Sequence, residues 1–318
     1  MKGTTMTQRM IWILTDGKIG DLVQCRGVGR RLGGEVVERV VCPSRPWSWL
    51  APHGPVPPSD KAGKEGSPIA APFPDVLIAS GRRTVPYLRA VKRASPQTFT
   101  LFLKDPRLQP RELDMIWAPV HDGLSGTAVM STDTGPHPFT DDVLASARAS
   151  GASRFGALPR PLTGVVLGGR TGTVKYESEE ALRAAAAIRA GIAGGGAVVV
   201  PSRRTPPELR DAVASALPGQ WHWDGQGDNP YLEIMTNADR LIVTGDSHNM
   251  VSEAAMFGVP LHVFRPKGLS KKLGRFLDRM EERGAVRNLA DGGADFEAVA
   301  VDASSEIAAE IEARINAA

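Results

Sequence analysis

Cysteine is nearly missing from this chain: Cys25 and Cys42 are the two among 318 residues, too few for a disulfide framework. No Cys/His cluster has zinc spacing, so no structural metal is expected. No apolar run approaches a membrane span, and Ile11–Leu14 is too short for the apolar core of a signal peptide. The expectation is a cytoplasmic protein. Charge of one sign is also lacking. Lys and Arg number 38 against 35 Asp and Glu, a net +3, with no long basic stripe interleaved with aromatics, so nucleic acid is not an expected partner. The mildly basic pI near 8.9 leaves room for an anionic ligand or an acidic membrane surface.

Glycine (34) and proline (25) are plentiful and punctuate an alternation of apolar strands and amphipathic helices, the pattern of a parallel α/β architecture. Strands are expected at Met10–Thr15, Glu35–Val41, Asp75–Ala79, Thr98–Leu103, Leu113–Ala118 and Thr127–Ser131. A second series runs at Gly164–Gly168, Ala197–Pro201, Arg240–Thr244 and Pro260–Phe264. The length fits two domains of about 150 residues each. Their expected bounds are 1–158 and 159–318, joined through Phe155–Pro161. The stretch Pro43–Pro74, rich in Pro, Gly and Ser, reads as an extended or mobile insertion. Ser304–Asn316 reads as an amphipathic helix with Ile307, Ile311 and Ile315 on one face.

Gly27-Val28-Gly29-Arg30-Arg31-Leu32-Gly33 resembles a dinucleotide fingerprint, but its spacing is one residue off and it lies inside the first helix. It is set aside. In open α/β sheets ligands bind at the carboxyl ends of strands, and there the polar residues collect. The first strand ends in Thr15-Asp16-Gly17-Lys18-Ile19-Gly20-Asp21, with Gln24 a turn later. Gly81 and Arg82 follow the third strand, Arg107 the fourth, His121 and Asp122 the fifth. Asp16, Asp21, His121 and Asp122 are candidate general bases; Gly17, Gly20, Gln24, Gly81, Arg82 and Arg107 are candidate acceptor-side residues. Adjacency points His121 and Asp122 different ways, which argues against a dyad made from the two.

Three further strand ends suit a phosphate. Gly168, Gly169 and Arg170 form a glycine-rich turn; Ser202, Arg203 and Arg204 precede a proline-started helix, where guanidiniums can grip a diphosphate bidentately. Asp246, Ser247, His248 and Asn249 open a helix that carries Ser252 and Glu253, and a helix N-terminus favours anions. Taken alone, such a turn is more often an ordinary N-cap than a nucleotide site.

The segments TDGKIGD…Q, PDVLIASGRR, DPR, PVHD, VVLGG, SRRTPPEL and GDNPYLEIMTNADRLIVTGDSHNMVSEAAMFGVP together resemble the mitochondrial-fission elongated-mitochondria (ELM) family and its bacterial relatives. The last block also resembles the donor site of GT-B glycosyltransferases. The resemblance implies two Rossmann-like domains facing a cleft. It further implies Ser247, Asn249 and Ser252 near the phosphates of a nucleotide sugar and Glu253 on its ribose. His248 stands where relatives are expected to carry a small apolar residue.

The favoured reading is a GT-B-like protein that binds a nucleotide-diphosphate sugar as donor substrate, needs no cofactor, and transfers the sugar to a lipid or cell-envelope acceptor. A helix carrying Leu269, Leu273, Phe276, Leu277 and Met280 on one face and Lys271, Lys272, Arg275, Arg279 and Arg283 elsewhere could rest on the inner face of a membrane. A core face with a solvated basic face is the weightier account. The rival function is a non-catalytic adaptor that keeps the fold and binds protein partners. An epimerase would call for a dinucleotide fingerprint that is not found.

Overall fold

The computed structural model describes residues 8–108, 112–192 and 194–317. They divide into two units: one runs through Thr140 and takes up the chain again from Ala303, the other is Asp141–Asp302.

The first unit holds β1 (Met10–Thr15), α1 (Ile19–Arg31), β2 (Glu35–Val40), α2 (Trp47–Leu50), β3 (Val76–Ser80), α3 (Val85–Ala94), β4 (Phe99–Leu103), β5 (Met115–Pro119) and β6 (Val129–Thr132). The strands pair in the order β2-β1-β3-β4-β5-β6, every pair parallel. A parallel sheet covered on both faces needs continuous apolar strands, and Ile11–Leu14 and Val76–Ala79 are fully buried. Their side chains alternate between two cores. Ile11, Ile13, Val76 and Ile78 join Val28 of α1 on one face; Trp12, Leu14, Leu77 and Ala79 join Leu88 and Val91 of α3 on the other.

The insertion expected to be extended or mobile is instead packed. Ile69 and Ala51 are buried, and Val56, Ala62 and Phe73 rest on the α3-side core. Arginine ties supplement this thin apolar inventory. Arg82 donates to the carbonyls of Ala51 (2.5 Å) and Ser48 (3.1 Å), and Arg39 lies over the Trp12 ring while donating to Pro68 O. Gly27 and Gly29 are buried inside α1, as the rejected fingerprint requires. A Cβ on Gly27 would lie 2.1 Å from the His137 carbonyl oxygen, so glycine lets that segment cross the helix.

The second unit holds α4 (Asp141–Phe155), β7 (Leu162–Leu167), α5 (Ser178–Gly191), β8 (Gly196–Pro201), α6 (Pro207–Ala216), β9 (Trp221–His222), α7 (Tyr231–Asn237), β10 (Arg240–Thr244), α8 (His248–Ala255), β11 (Leu261–Phe264), α9 (Lys271–Glu282) and β12 (Arg287–Asn288). Its parallel sheet runs β12-β11-β10-β7-β8-β9, a Rossmann order whose direction reverses between β7 and β10.

The boundary differs from the one expected at 158/159. α4 belongs to the second unit: Ser150 Oγ bonds Glu233 of α7 at 2.6 Å, and Phe155 meets Trp221 edge-on at 5.3 Å. The last helix, α10 (Ala303–Ala317), returns to the first unit. Ile307 and Ile311 enter the α1-side core, and Ser304 Oγ bonds the His137 backbone. Phe276, Leu277 and Met280 of α9 are likewise buried in the core of their own unit, so that face is not free for a bilayer. Among the described residues no helix is long and apolar enough to cross a membrane.

Candidate functional site

The reversal point of the second sheet brings the ends of β7 and β10 together. Gly168 N–H donates to Thr244 Oγ1 (2.7 Å) and Gly169 N–H to Asp246 Oδ2 (2.8 Å), while the Tyr176 hydroxyl donates to Asp246 Oδ1 (2.7 Å). Asp246 is 5% exposed, and both its oxygens serve the fold. Burial, then the Asp246 charge, drives the Tyr176 hydroxyl far above its ordinary pKa. A Cβ on Gly168 would lie 2.1 Å from Asp246 Oδ2, and one on Gly169 2.0 Å from the Arg204 carbonyl oxygen. The two glycines are required by close approach.

The β8 turn is fastened to the β7 turn by Thr205, a residue not among those expected at the site. Its hydroxyl donates toward the carbonyls of Leu167 (2.9 Å) and Gly168 (2.6 Å) and accepts from Ser202 N–H (2.8 Å). Arg170 N–H bonds the Arg204 carbonyl, and the Arg170 guanidinium pairs with Glu208 at 2.8 Å. Arg203 and Arg204 are exposed. At the ends of β8 and β9 opens a cavity of about 520 Å³ lined by Ser202, Arg203, Thr205, His222, Trp223 and Asp224 among others. It sets a half-buried indole beside hydroxyls and a guanidinium. Trp223 carries no motif, and only its place after a strand end marks it.

At α8, Ser247 is an extended N-cap whose side chain makes no capping bond. Asn249 is exposed and Ser252 buried. The His248 ring stacks obliquely on Phe276 with centroids 4.1 Å apart, and its Nδ1 lies 3.4 Å from Ser252 Oγ. The bulk expected to be out of place therefore has a seat against the α9 core. Glu253 accepts the Tyr231 hydroxyl at 2.6 Å, which together with burial raises the Tyr231 pKa strongly.

In the first unit Asp16 and Gly81 meet where the strand order reverses between β1 and β3. The Asp16 side chain is 3% exposed with Lys18 Nζ 3.7 Å from Oδ2; its Oδ1 has no hydrogen-bond partner among the described residues. Gly81, at φ +94°, packs closely on the carboxylate: a Cβ there would stand 3.1 Å from Asp16 Oδ1. Gly17, at φ +89°, turns its N–H back to Thr15 Oγ1. Asp21 is paired with Lys104 at 2.5 Å, while Gly20 and Gln24 lie along α1. Arg82 and Arg107 share a cavity with that pair.

His121 and Asp122 close a short turn after β5 and line neither cavity. Against the expectation from adjacency, their side chains approach to 3.5 Å, because the tight turn Val120–Asp122 bends them onto one side. Among the described residues no three His, Cys, Asp or Glu side chains group as a metal site.

The family model described as Mitochondrial fission ELM1 matches residues 20–315. The Mitochondrial fission protein ELM1 of Arabidopsis thaliana is 27% identical over 243 residues, 68% of this chain and 57% of that protein. The RP120 protein of Rickettsia prowazekii is 35% identical over 92 residues, 27% of this chain and 26% of that one. The chain thus spans 57% or less of the length of these curated relatives. Among solved structures it is similar to the UDP-GlcNAc 2-epimerase of Neisseria meningitidis bound to UDP-GlcNAc. There the identity is 12%, the TM-score 0.50, and 96% of this chain and 99% of that one are covered. The UDP-GlcNAc 2-epimerase of Methanocaldococcus jannaschii is matched at 12% identity, a TM-score of 0.51 and the same coverage. At such identity the likeness concerns the fold: α/β, with two Rossmann-like domains of the GT-B kind.

Proposed function

This chain belongs to the mitochondrial fission ELM1 family, and from that premise we propose that its second unit binds a nucleotide-diphosphate sugar for transfer to an acceptor held by the first. The observation that carries the reading is the reversal point of the second sheet. There the Gly168-Gly169 turn is held by Asp246, just before α8, and is fastened by Thr205 to the Ser202–Thr205 turn, which lines a cavity with an indole at its wall. Helix N-termini and guanidiniums stabilise charge that develops on a departing diphosphate. That UDP-GlcNAc is bound by a solved structure of the same fold supports the ligand class.

In the proposed reaction Asp16 is the base, because its buried carboxylate keeps an oxygen without a donor, whereas Asp21 is matched by Lys104. The acceptor hydroxyl gives its proton to Asp16, and its oxygen bonds the anomeric carbon. The bond from that carbon to the diphosphate breaks, with the electron pair leaving on the phosphate oxygen.

The test is a melting-curve panel of nucleoside diphosphates and nucleotide sugars. A ligand at about a hundred times its Kd stabilises by roughly 2.7 kcal/mol, and Arg203→Ala should abolish much of the shift. Product analysis then separates transfer, which releases the nucleoside diphosphate, from epimerisation, which isomerises the sugar. The second reading, a non-catalytic scaffold with protein partners, draws on the engagement of Asp246 and Glu253 by Tyr176 and Tyr231. Those bonds give both carboxylates a use without any ligand. If no nucleotide moves the melting curve, the scaffold reading replaces transfer.

A further inference from the structure

The first unit carries a cavity of about 540 Å³ at the carboxyl ends of β1, β3 and β4, whose charged lining is Lys18, Asp21, Arg82, Lys104, Asp105 and Arg107. Four of those six side chains are cationic, and two of the cations are not matched by carboxylates. Arg82 points its guanidinium at neutral backbone carbonyls, and the Arg107 guanidinium has no ion-pair partner among the described residues.

The backbone works to bring these groups to the rim. Lys104 and Arg107 sit at φ +78° and +56°, a region that non-glycine residues rarely enter and that collects at binding sites. Asp105 fixes the bend by accepting the Arg107 N–H at 2.7 Å. Behind Gly81, a lining residue, lies the Asp16 carboxylate with its partnerless Oδ1. A buried acceptor left without a donor is costly, and a ligand hydroxyl would satisfy it.

We propose that this cavity recognises a phosphate-bearing, hydroxylated molecule, with Lys104 and Arg107 gripping the phosphate and a hydroxyl of the same molecule donating to Asp16. That this molecule is the acceptor rests on the transfer reading above; the phosphate recognition does not. Arginine suits the role because its planar fork matches phosphate oxygens bidentately. Soluble phosphate esters and phospholipid headgroups share this chemistry.

The probe is inorganic pyrophosphate, titrated calorimetrically into the full chain already saturated with UDP. The wild-type protein should bind it, and Lys104→Ala combined with Arg107→Ala should weaken binding about tenfold or more. Arg93→Ala, which removes an exposed cation from the last turn of α3, should leave it unchanged. Both cavity side chains are exposed, so melting curves of the double variant should match the wild type. If the double variant binds like the wild type, or Arg93→Ala weakens binding equally, the proposal is overturned. UDP that fully excludes pyrophosphate also overturns it, since the anion then uses only the second unit. If UDP does not bind at all, the transfer reading fails, while the difference between wild type and double variant still reads this cavity alone. Co-sedimentation with phosphatidylcholine vesicles containing phosphatidic acid identifies the source. Sedimentation lost in the double variant supports a lipid-borne phosphate; no sedimentation alongside intact pyrophosphate binding supports a soluble ester.

Discussion

Tyr231 donates its hydroxyl proton to Glu253 across 2.6 Å, tying α7 to the helix that opens at Ser247. The carboxylate assigned to a ribose therefore already holds a protein donor, and a bound nucleotide would have to share it or displace it. Tyr231→Phe should cost about 1.5–3 kcal/mol of stability, the range for a hydrogen bond to a charged group. It should also leave the Glu253 carboxylate freer for ligand, so nucleotide affinity should hold or rise. Glu253→Ala should lower both stability and affinity. Equal affinity in Glu253→Ala and wild type would assign the carboxylate to the fold alone. Paired urea unfolding and nucleotide titrations decide it.

The two glycines of the β7 turn predict a graded response. Gly169→Ala drives a methyl against a backbone carbonyl and Gly168→Ala against a carboxylate. Both should destabilise by at least about 1–3 kcal/mol, the usual cost of overpacking, with Gly169 the worse because backbone yields less than a side chain. Gly20→Ala in α1 meets nothing within 4 Å and should stabilise by about 0.5–1 kcal/mol through helix propensity. Melting temperatures of the three variants provide the check; an unperturbed Gly169→Ala would remove the close approach as the reason for glycine.

These positions also show what the sequence discloses. β1 and β10 are legible to the residue, since continuous apolar runs are local signals. β9 and β12, two residues each, carry no period to read. Periodicity in the last helix exposes its apolar face, but nothing local says that Ile307 and Ile311 return to the first core. At the site the glycine turns and polar strand ends are visible as motifs. Their partners Tyr176 and Trp223 are not, because each reaches the site by tertiary packing from a segment with no signature of its own. Tyr231 lies inside a family-like block but meets Glu253 only through the packing of α7 on α8.

His262 should make stability pH-dependent. Burial, followed by the charges of Arg240 and Arg287, holds its pKa below the ordinary 6.5. The sign follows from proton uptake: below about pH 6.5 the unfolded chain binds a proton that the folded one refuses. Stability is thus fully present above that pH and falls as pH drops toward the folded value. The carboxylates held low by arginine partners, such as Glu38 and Glu312, act at more acid pH. Urea unfolding between about pH 5 and 7.5 isolates the histidine. His262→Leu should flatten the slope, and an unchanged slope would assign it elsewhere.

Thiol labelling gives a simpler reading of the first core. Burial, with the nearby Asp21 charge, pushes Cys25 up to about 12, whereas Cys42 is exposed. A thiolate-selective reagent should modify Cys42 in the native protein and reach Cys25 on unfolding. Rapid native labelling of Cys25 would contradict its burial on the core-facing side of α1.

Arg82 offers the last test, because two roles compete for it. Its guanidinium lines the phosphate-suited cavity and also straps the Pro43–Pro74 insertion through the Ser48 and Ala51 carbonyls. Lysine keeps the charge but, with a single ammonium on a flexible stem, cannot reproduce a planar fork bonding two carbonyls. Arg82→Lys should therefore preserve pyrophosphate binding within a few-fold while weakening the strap by about 1–2 kcal/mol, the worth of one or two hydrogen bonds. Limited proteolysis should then cut within 43–74 several times faster than in the wild type. Tyr87→Phe, which removes the separate tie to Asp60 at 2.5 Å, should loosen the same segment without touching the cavity. If Arg82→Lys loses pyrophosphate yet keeps wild-type resistance to proteolysis, Arg82 belongs to the cavity, and the insertion is held by its apolar contacts through Ile69 and Phe73.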